Sequence, residues 1–288
     1  MNTVAKYASF VKFAHTIFAL PFALVGYVYA LVHTGTAFDW LLLVKILFCM
    51  VFARNTAMGF NRWADRRIDA ENPRTADREI PSGQISSRAA IIFVILNAVC
   101  FLIVAWMINK LTFILAPVAL IIITGYSFTK RFTAWSHIVL GTALAIAPAG
   151  AYIAVTGTIS IVPILLAGLV MTWVSGFDIL YSLQDAEHDR AHNLHSVPAR
   201  YSAKGAVWIS IILHLITVYA VVIIGVYNEF NGGLLYWIGA GLFVGMLAVQ
   251  HIMFRPSKVD TIARTFTLMN GASSIAYAAF AIADLLLR

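Results

Sequence analysis

Charge is scarce in this sequence. Only 11% of its 288 residues are Asp, Glu, Lys or Arg, and 61% are hydrophobic, whereas a soluble domain is about 25% charged and about 45–50% apolar. That shortage excludes a water-soluble globule, and the apolar excess excludes a disordered or collagen-like chain. Cysteine is almost absent. Cys49 and Cys100 stand alone inside long apolar runs, with no second Cys or paired His at metal-ligand spacing, so neither a disulfide framework nor a zinc site is expected. Acids are few as well, 13 against 20 Lys and Arg, for a formal net charge of +7. A polyanion-binding domain would carry that charge on a wet face; in so apolar a chain the basic residues are read against a bilayer first. The opening Met1-Asn-Thr-Val-Ala-Lys6 precedes an apolar run with no recognisable cleavage site, and is expected to lead into a retained first span.

What the sequence does contain is a succession of apolar runs. A spanning helix takes about 20 such residues, and polar breaks leave nine candidates, near 13–33, 40–60, 89–108, 111–127, 136–156, 158–178, 205–227, 233–254 and 266–287. With the N-terminus in the cytoplasm, one side receives the tail and the connections around 61–88, 128–135, 179–204 and 255–265. That side then holds Arg54 at a helix end and every other Lys and Arg except Lys45, Lys110 and Arg288. The positive-inside rule therefore predicts an all-α membrane protein of nine transmembrane helices, N-terminus cytoplasmic, and a count wrong by one would destroy the asymmetry. Asp and Glu share the bias, which orientation does not require: only Asp39, Glu229 and Asp284 fall elsewhere.

Two acidic clusters stand out. Asn61-Arg-Trp-Ala-Asp65-Arg-Arg-Ile-Asp69 closes the second span, and on a continuous helix Asn61, Asp65 and Asp69 project at roughly 0°, 40° and 80° within about 12 Å of axis. Asp178-Ile-Leu-Tyr181-Ser-Leu-Gln184-Asp185-Ala-Glu-His-Asp189-Arg190 closes the sixth, and there Asp178, Asp185 and Asp189 project at roughly 0°, −20° and +20°. The two spans run in the same direction, as matching elements of a parallel internal repeat would. A solvated charge run would explain the clusters more plainly, but membrane-edge acids at helical spacing mark function by default.

Close carboxylates repel unless cations intervene. An all-oxygen donor set without Cys or paired His suits Mg²⁺, which keeps waters and prefers one or two carboxylates plus substrate phosphates. A phosphorylated ligand is the implied partner. A diphosphate of about −3 with Asp65, Asp69, Asp185 and Asp189 makes roughly −7 against +4 from two ions, a shortfall of about three charges. Arg62, Arg74, Arg78, Lys130 and Arg131 lie on the same side to supply it. Asp178 is about seven residues, or roughly 10 Å, deeper than Asp185 on a continuous helix, too far to join two ions about 3.5–4 Å apart. It is better placed as an acid or base beside an acceptor; the plainer alternative is a buried carboxylate held by Tyr181 or a neighbouring helix.

These residues resemble the UbiA superfamily of intramembrane prenyltransferases, whose pattern is NxxxDxxxD in the first half and DxxxxxxDxxxD in the second. Asn72-Pro-Arg-Thr-Ala-Asp-Arg-Glu-Ile-Pro-Ser-Gly83 resembles the NPRTxxRxxPSG segment of that family, Tyr126-Ser-Phe-Thr-Lys130 its YxxxK signature and Ser196-Val-Pro-Ala-Arg200 its SxPAR-type element. The matches run in order along nearly the whole chain. The resemblance implies a single transmembrane domain over 1–288, a central cavity capped by loops about 61–88, 128–135 and 179–204, and two Mg²⁺ ions bridging a polyprenyl diphosphate. Carried over residue by residue, Asn61, Asp65, Asp69, Asp185 and Asp189 are metal ligands. Arg62, Arg74, Arg78, Tyr126 and Lys130 contact the diphosphate, and Arg131 and Lys12 meet the acceptor. Asp65 and Asp185, with Asp178, are the expected catalytic carboxylates.

Within the family, His15-Thr-Ile-Phe-Ala-Leu-Pro-Phe22 and Lys130-Arg-Phe-Thr133 look closest to enzymes that prenylate an aromatic acid for quinone synthesis. The expected reaction is polyprenyl transfer to 4-hydroxybenzoate in a bacterial-type inner membrane, with the active-site loops cytoplasmic. Lys12 and His15 stand where the typical hydroxybenzoate enzymes look like Arg and Lys, which leaves the acceptor open, and the His15–Phe22 stretch also resembles the branch acting on a dihydroxynaphthoate in menaquinone synthesis, the alternative acceptor. A different class, an ion-coupled transporter, would favour charges or broken helices at the midplane, and here the acids gather at one face. Single His33, His214 and His251 are read as packed and hydrogen-bonded, and His188, His192 and His195 as a solvated loop.

Overall fold

The computed structural model describes residues 3–11, 18–253 and 259–288, with side chains from residue 6 and, in the last stretch, from residue 268. Lys12 and His15 lie outside the described residues. Every regular element described is helical: α1 (Thr3–Phe10), α2 (Leu20–Thr34), α3 (Trp40–Ala64), α4 (Arg66–Glu71), α5 (Ser87–Trp106), α6 (Lys110–Thr129), α7 (Ser136–Thr156), α8 (Ile161–Tyr181), α9 (Ala186–Ala191), α10 (Val197–Val226), α11 (Leu234–Met253) and α12 (Val259–Leu286). A bilayer leaves little choice, because an apolar segment there must satisfy its backbone within itself. Eight of these helices are long and apolar enough to cross a membrane; the segment expected as the first span is the shorter α2, whose 15 residues reach only about 22 Å. Their outer faces are apolar, with Trp40, Leu96, Trp106, Ile121, Trp208 and Ile252 exposed.

Local signals set the helix ends. Asp39 caps α3 through Leu41 N–H at 2.8 Å, and Ser86 caps α5 through Ala89 N–H at 3.2 Å. Gly35 and Gly157 end α2 and α7 at φ 64°, the left-handed conformation glycine adopts without a Cβ penalty. Ser202 (φ 66°, ψ 170°) breaks α10 near its start.

The chain forms two compact units. The first contains α1 and α3 to α6. Here α3 lies along α5, tied by Asn55 Nδ2 donating to Asn97 Oδ1 at 2.9 Å, and a small core of Phe10, Val11, Ile85 and Ala90 packs with Tyr7 and Trp63. The second contains α2 and α7 to α12, packed in the succession α12, α2, α7, α8, α10, α11 and back to α12. Its core centres on Trp173, with the rings of Phe22, Phe243 and Phe177 5.2 to 5.7 Å away. The indole N–H finds Asn270 Oδ1 at 3.2 Å.

Two glycines set how closely the helices of this second unit approach. A Cβ at Gly26 would meet the Pro148 carbonyl oxygen at 2.3 Å, and one at Gly141 would meet the Met171 carbonyl oxygen and Ser175 Oγ, both at 2.4 Å. With no hydrophobic drive between helices in lipid, such close backbone contact is a main source of association. Gly141→Ala should therefore lower the melting temperature in detergent by several degrees, the overpacking costing about 1–3 kcal/mol. Gly241→Ala, with nothing within 4 Å of its Cβ, should leave melting unchanged; equal melting of both variants would contradict the packing.

Candidate active site

The first motif lies where α3 passes into α4. Asp65 ends one helix and begins the next at φ −93°, ψ 3°, yet the backbone bonds continue through it, from Asp65 N–H to Asn61 O at 2.9 Å and from Asp69 N–H to Asp65 O at 2.8 Å. Asn61, Asp65 and Asp69 thus follow one another a turn apart, as the spacing predicts. Asp65 and Asp69 are only 2% and 4% exposed. Asn61 Nδ2 donates to Asp65 Oδ2 at 3.2 Å and to Ser127 Oγ of α6 at 3.5 Å.

Burial of these acids is offset by the loop that follows. Arg78 Nη1 donates to both oxygens of Asp69 at 2.8 Å. The loop returns because Thr75 Oγ1 donates to the Asp69 carbonyl at 3.0 Å, Asn72 Oδ1 accepts from Arg74 N–H at 2.9 Å, and Gly83 takes φ 74°. Arg62, buried in the last turn of α3, faces Glu79 Oε2 at 3.7 Å, and Ser9 Oγ donates to Glu79 Oε1 at 2.6 Å. Among the described residues, neither Arg62 Nη1 nor Glu79 Oε2 has a hydrogen-bond partner. A buried guanidinium N–H left in that state is costly unless an anion meets it. Arg78, Asp69 and Tyr126 are further electrostatic neighbours of Arg62. Arg74 is exposed and Tyr126 half-buried.

The second motif departs from expectation. A continuous helix would align Asp178 with Asp185 and Asp189, but a 3₁₀ turn, Ser182–Asp185, separates α8 from α9. With three residues per turn, it adds about 20° per residue over an α-helix, turning Asp185 and Asp189 by about 80° from Asp178. The narrow three-acid stripe is corrected to a pair plus a separate carboxylate. Asp189 has Asp185, Lys130 and His188 as electrostatic neighbours and a hydrogen bond from Ser196. The Lys130 carbonyl accepts from His195 N–H at 2.6 Å, joining the signature lysine to that loop, while Arg131 is exposed. Asp178 is held by a neighbouring helix: its Oδ2 meets His137 Nδ1 of α7 at 2.7 Å.

Three residues were not singled out by the sequence. Glu79, the partner of Arg62, was hidden among loop acids. His137 is an isolated histidine one residue into an apolar span. Arg54, half-buried in α3, lies seven residues before Asn61 and so within about 20° of its face, in electrostatic reach of Tyr126. A charged residue inside a span was the available signal for Arg54. Of the three histidines expected to be packed and hydrogen-bonded, His214 is buried and its Nδ1 meets Nε2 of half-buried His251 at 2.8 Å, while His33 is exposed and meets Tyr29 OH through Nδ1 at 3.3 Å.

Among the described residues, no three His, Cys, Asp or Glu side chains gather closely enough to hold a metal ion by themselves. Mg²⁺ asks for less, one or two carboxylates completed by water and phosphate oxygens. The oxygen donors of Asn61 and Asp65, and the adjacent Asp185 and Asp189, fit that requirement.

The pattern that describes the UbiA prenyltransferase family matches residues 19–274. A 4-hydroxybenzoate octaprenyltransferase of Photobacterium profundum is 32% identical over 206 residues, 70% of this chain and 71% of the relative. Another, of Tolumonas auensis, is 26% identical over 230 residues, 80% and 79% of the two chains. Among solved structures, the apo UbiA homologue from Aeropyrum pernix K1 is 30% identical with a TM-score of 0.83, covering 94% of this chain and 98% of that one. A UbiA homologue from Archaeoglobus fulgidus, solved bound to DMAPP and Mg²⁺, shares the fold at 20% identity and a TM-score of 0.76, over 98% and 100% of the chains. With the family pattern matched over most of its length, by the same helices that carry both aspartate motifs, this chain belongs to the UbiA prenyltransferase family.

Proposed function

We propose that this protein transfers a polyprenyl group from polyprenyl diphosphate to a ring carbon of a hydroxylated aromatic acid, 4-hydroxybenzoate, for quinone synthesis. The observation that carries this reading is the turn-by-turn succession of Asn61, Asp65 and Asp69 beside Arg62, Arg78 and Tyr126 within the first unit, oxygen donors and cations together as a diphosphate and its metal require. The names of the relatives and the DMAPP- and Mg²⁺-bound homologue support it. Dihydroxynaphthoate is the second acceptor, favoured by the stretch from His15 to Phe22. A transporter fits less well, since each motif closes a span rather than interrupting one.

In this reading Asn61, Asp65 and Asp69 hold one Mg²⁺ and Asp185 and Asp189 the other, at the cytoplasmic face of an inner membrane. When bound, Mg²⁺ supplies positive charge against the oxygens of the leaving diphosphate. Arg62, Arg74, Arg78, Tyr126 and Lys130 orient the diphosphate and stabilise charge developing on its bridging oxygen. Apolar helix faces exclude the water that would quench an allylic cation. Asp178 takes the proton from the attacked ring carbon or polarises the phenol.

Removal of divalent metal by EDTA should abolish product formation, and Mg²⁺ should restore it. Asp65→Asn or Asp185→Asn should lower turnover at least about a hundredfold, the loss of one electrostatic stabiliser. Full activity in EDTA would end the reading.

Two arginines compete for the acceptor carboxylate. Arg131 is the residue the family resemblance assigns, with Lys12 beside the acceptor; Arg54 is the better buried, and a charge-assisted bond gains most where water is excluded. Arg54→Ala should raise the acceptor KM about 10–100-fold, the cost of a lost charged hydrogen bond, and more than Arg131→Ala does. Lys130→Ala should instead raise the KM for the prenyl diphosphate. A larger acceptor effect from Arg131→Ala would return the carboxylate to Arg131.

A further inference from the structure

The second unit contains a chain of polar contacts that the proposed reaction does not yet use. His137 opens α7 with its side chain 5% exposed, and its Nδ1 lies 2.7 Å from Asp178 Oδ2, itself 23% exposed. On the other edge of the ring, Val197 N–H at the start of α10 donates to His137 Nε2 at 3.4 Å. A nitrogen that accepts from a backbone N–H carries no proton, so the ring proton resides on Nδ1. His137 is therefore a donor to Asp178, and Asp178 an acceptor.

The ring has little freedom to leave this arrangement. Ser175 Oγ shares its one O–H between the His137 carbonyl at 3.0 Å and the Met171 carbonyl at 2.6 Å, pinning α7 to α8 one turn from Asp178. The close crossing at Gly141, one turn beyond His137, makes that contact possible. Ser196, the residue before Val197, hydrogen-bonds Asp189. Consecutive residues 196 and 197 thus hold a carboxylate of the second motif directly and the deeper carboxylate through one imidazole.

We propose that His137 is a positioning residue for aromatic prenylation: it fixes Asp178 through Oδ2 in one orientation and leaves Oδ1 for the acceptor. This rests on the reading of Asp178 as the acceptor-side base. In the step it serves, ring electrons form the bond to C1 of the prenyl group while the C1–O electron pair departs with diphosphate. The proton on the attacked ring carbon then passes to Asp178 Oδ1, and the C–H pair restores the aromatic ring.

Two amides separate positioning from mere packing. The nitrogen of Asn, like Nδ1 of His, is bonded to Cγ, so His137→Asn can still donate to Asp178 but loses the acceptor for Val197. His137→Gln places its amide near Nε2, keeping the Val197 contact and losing the donor to Asp178. Purified variants with unchanged melting temperatures should be compared for kcat and for the KM of the prenyl diphosphate. His137→Asn is expected within about threefold of the parent kcat, and His137→Gln and His137→Phe at least about tenfold below it, the diphosphate KM unchanged throughout; tenfold is a modest share of the 10²–10⁴ an acid–base group contributes. In an Asp178→Asn background, His137→Phe should cost nothing further, as groups acting as one unit do. The reverse ranking, with Gln active and Asn impaired, assigns His137 to holding α10 and overturns the proposal. If Asp178→Asn is inactive while all three His137 variants are fully active, the positioning role alone fails; if Asp178→Asn is itself fully active, the base and its positioning fall together.

Discussion

A carboxylate at the end of an apolar helix must be met by a partner wherever water cannot reach it, and the polar architecture of this chain follows from that requirement. Burial opposes the charged form of an acid, and an isolated buried charge is among the costliest features a fold can carry. Asp69 is met by Arg78, Asp189 by Ser196 with Lys130 nearby, and Asp178 by His137. Each partner comes from a segment remote in sequence or from a loop. The connections after α3 and α8 therefore cannot be arbitrary links, because their side chains make the acids tolerable where they stand.

The same partners give the acids different chemical characters. Asp69 lies between Arg78 and Arg62, with Asp65 one turn before it, in surroundings suited to a polyanion with its metal ions. Among the described residues, Asp178 is held at one oxygen by the His137 imidazole, a setting suited to accepting a proton at the other. The 3₁₀ turn at Ser182–Asp185 is what separates these roles. A continuous helix would have turned Asp178 to the face of Asp185 and Asp189, where repulsion among three like charges would have required more cation.

Much of this was legible in the sequence because it depends on composition and period. Apolar runs gave the helices, and the one-face arrangement of Asn61, Asp65 and Asp69 survived because the i→i−4 bonds pass through the bend at Asp65. The alignment of Asp178 with Asp185 did not survive, since nothing in Ser182-Leu-Gln-Asp185 announces a tighter turn. The pairs Arg62–Glu79 and His137–Asp178 join residues far apart in sequence and were invisible to any periodicity argument. Arg54 was visible as a charge within a span, but its proximity to Tyr126 was not.

The chemical identity of what the protein makes bears most directly on all of this. Purified protein with Mg²⁺, a polyprenyl diphosphate and a panel of hydroxybenzoates and dihydroxynaphthoates should be analysed by product mass and by fragmentation. The predicted product is 4-hydroxybenzoate carrying one prenyl group on a ring carbon, in place of one hydrogen and with its carboxylate intact, released together with diphosphate. Diphosphate release accompanied only by prenyl alcohol, with no aromatic acid modified, would contradict it.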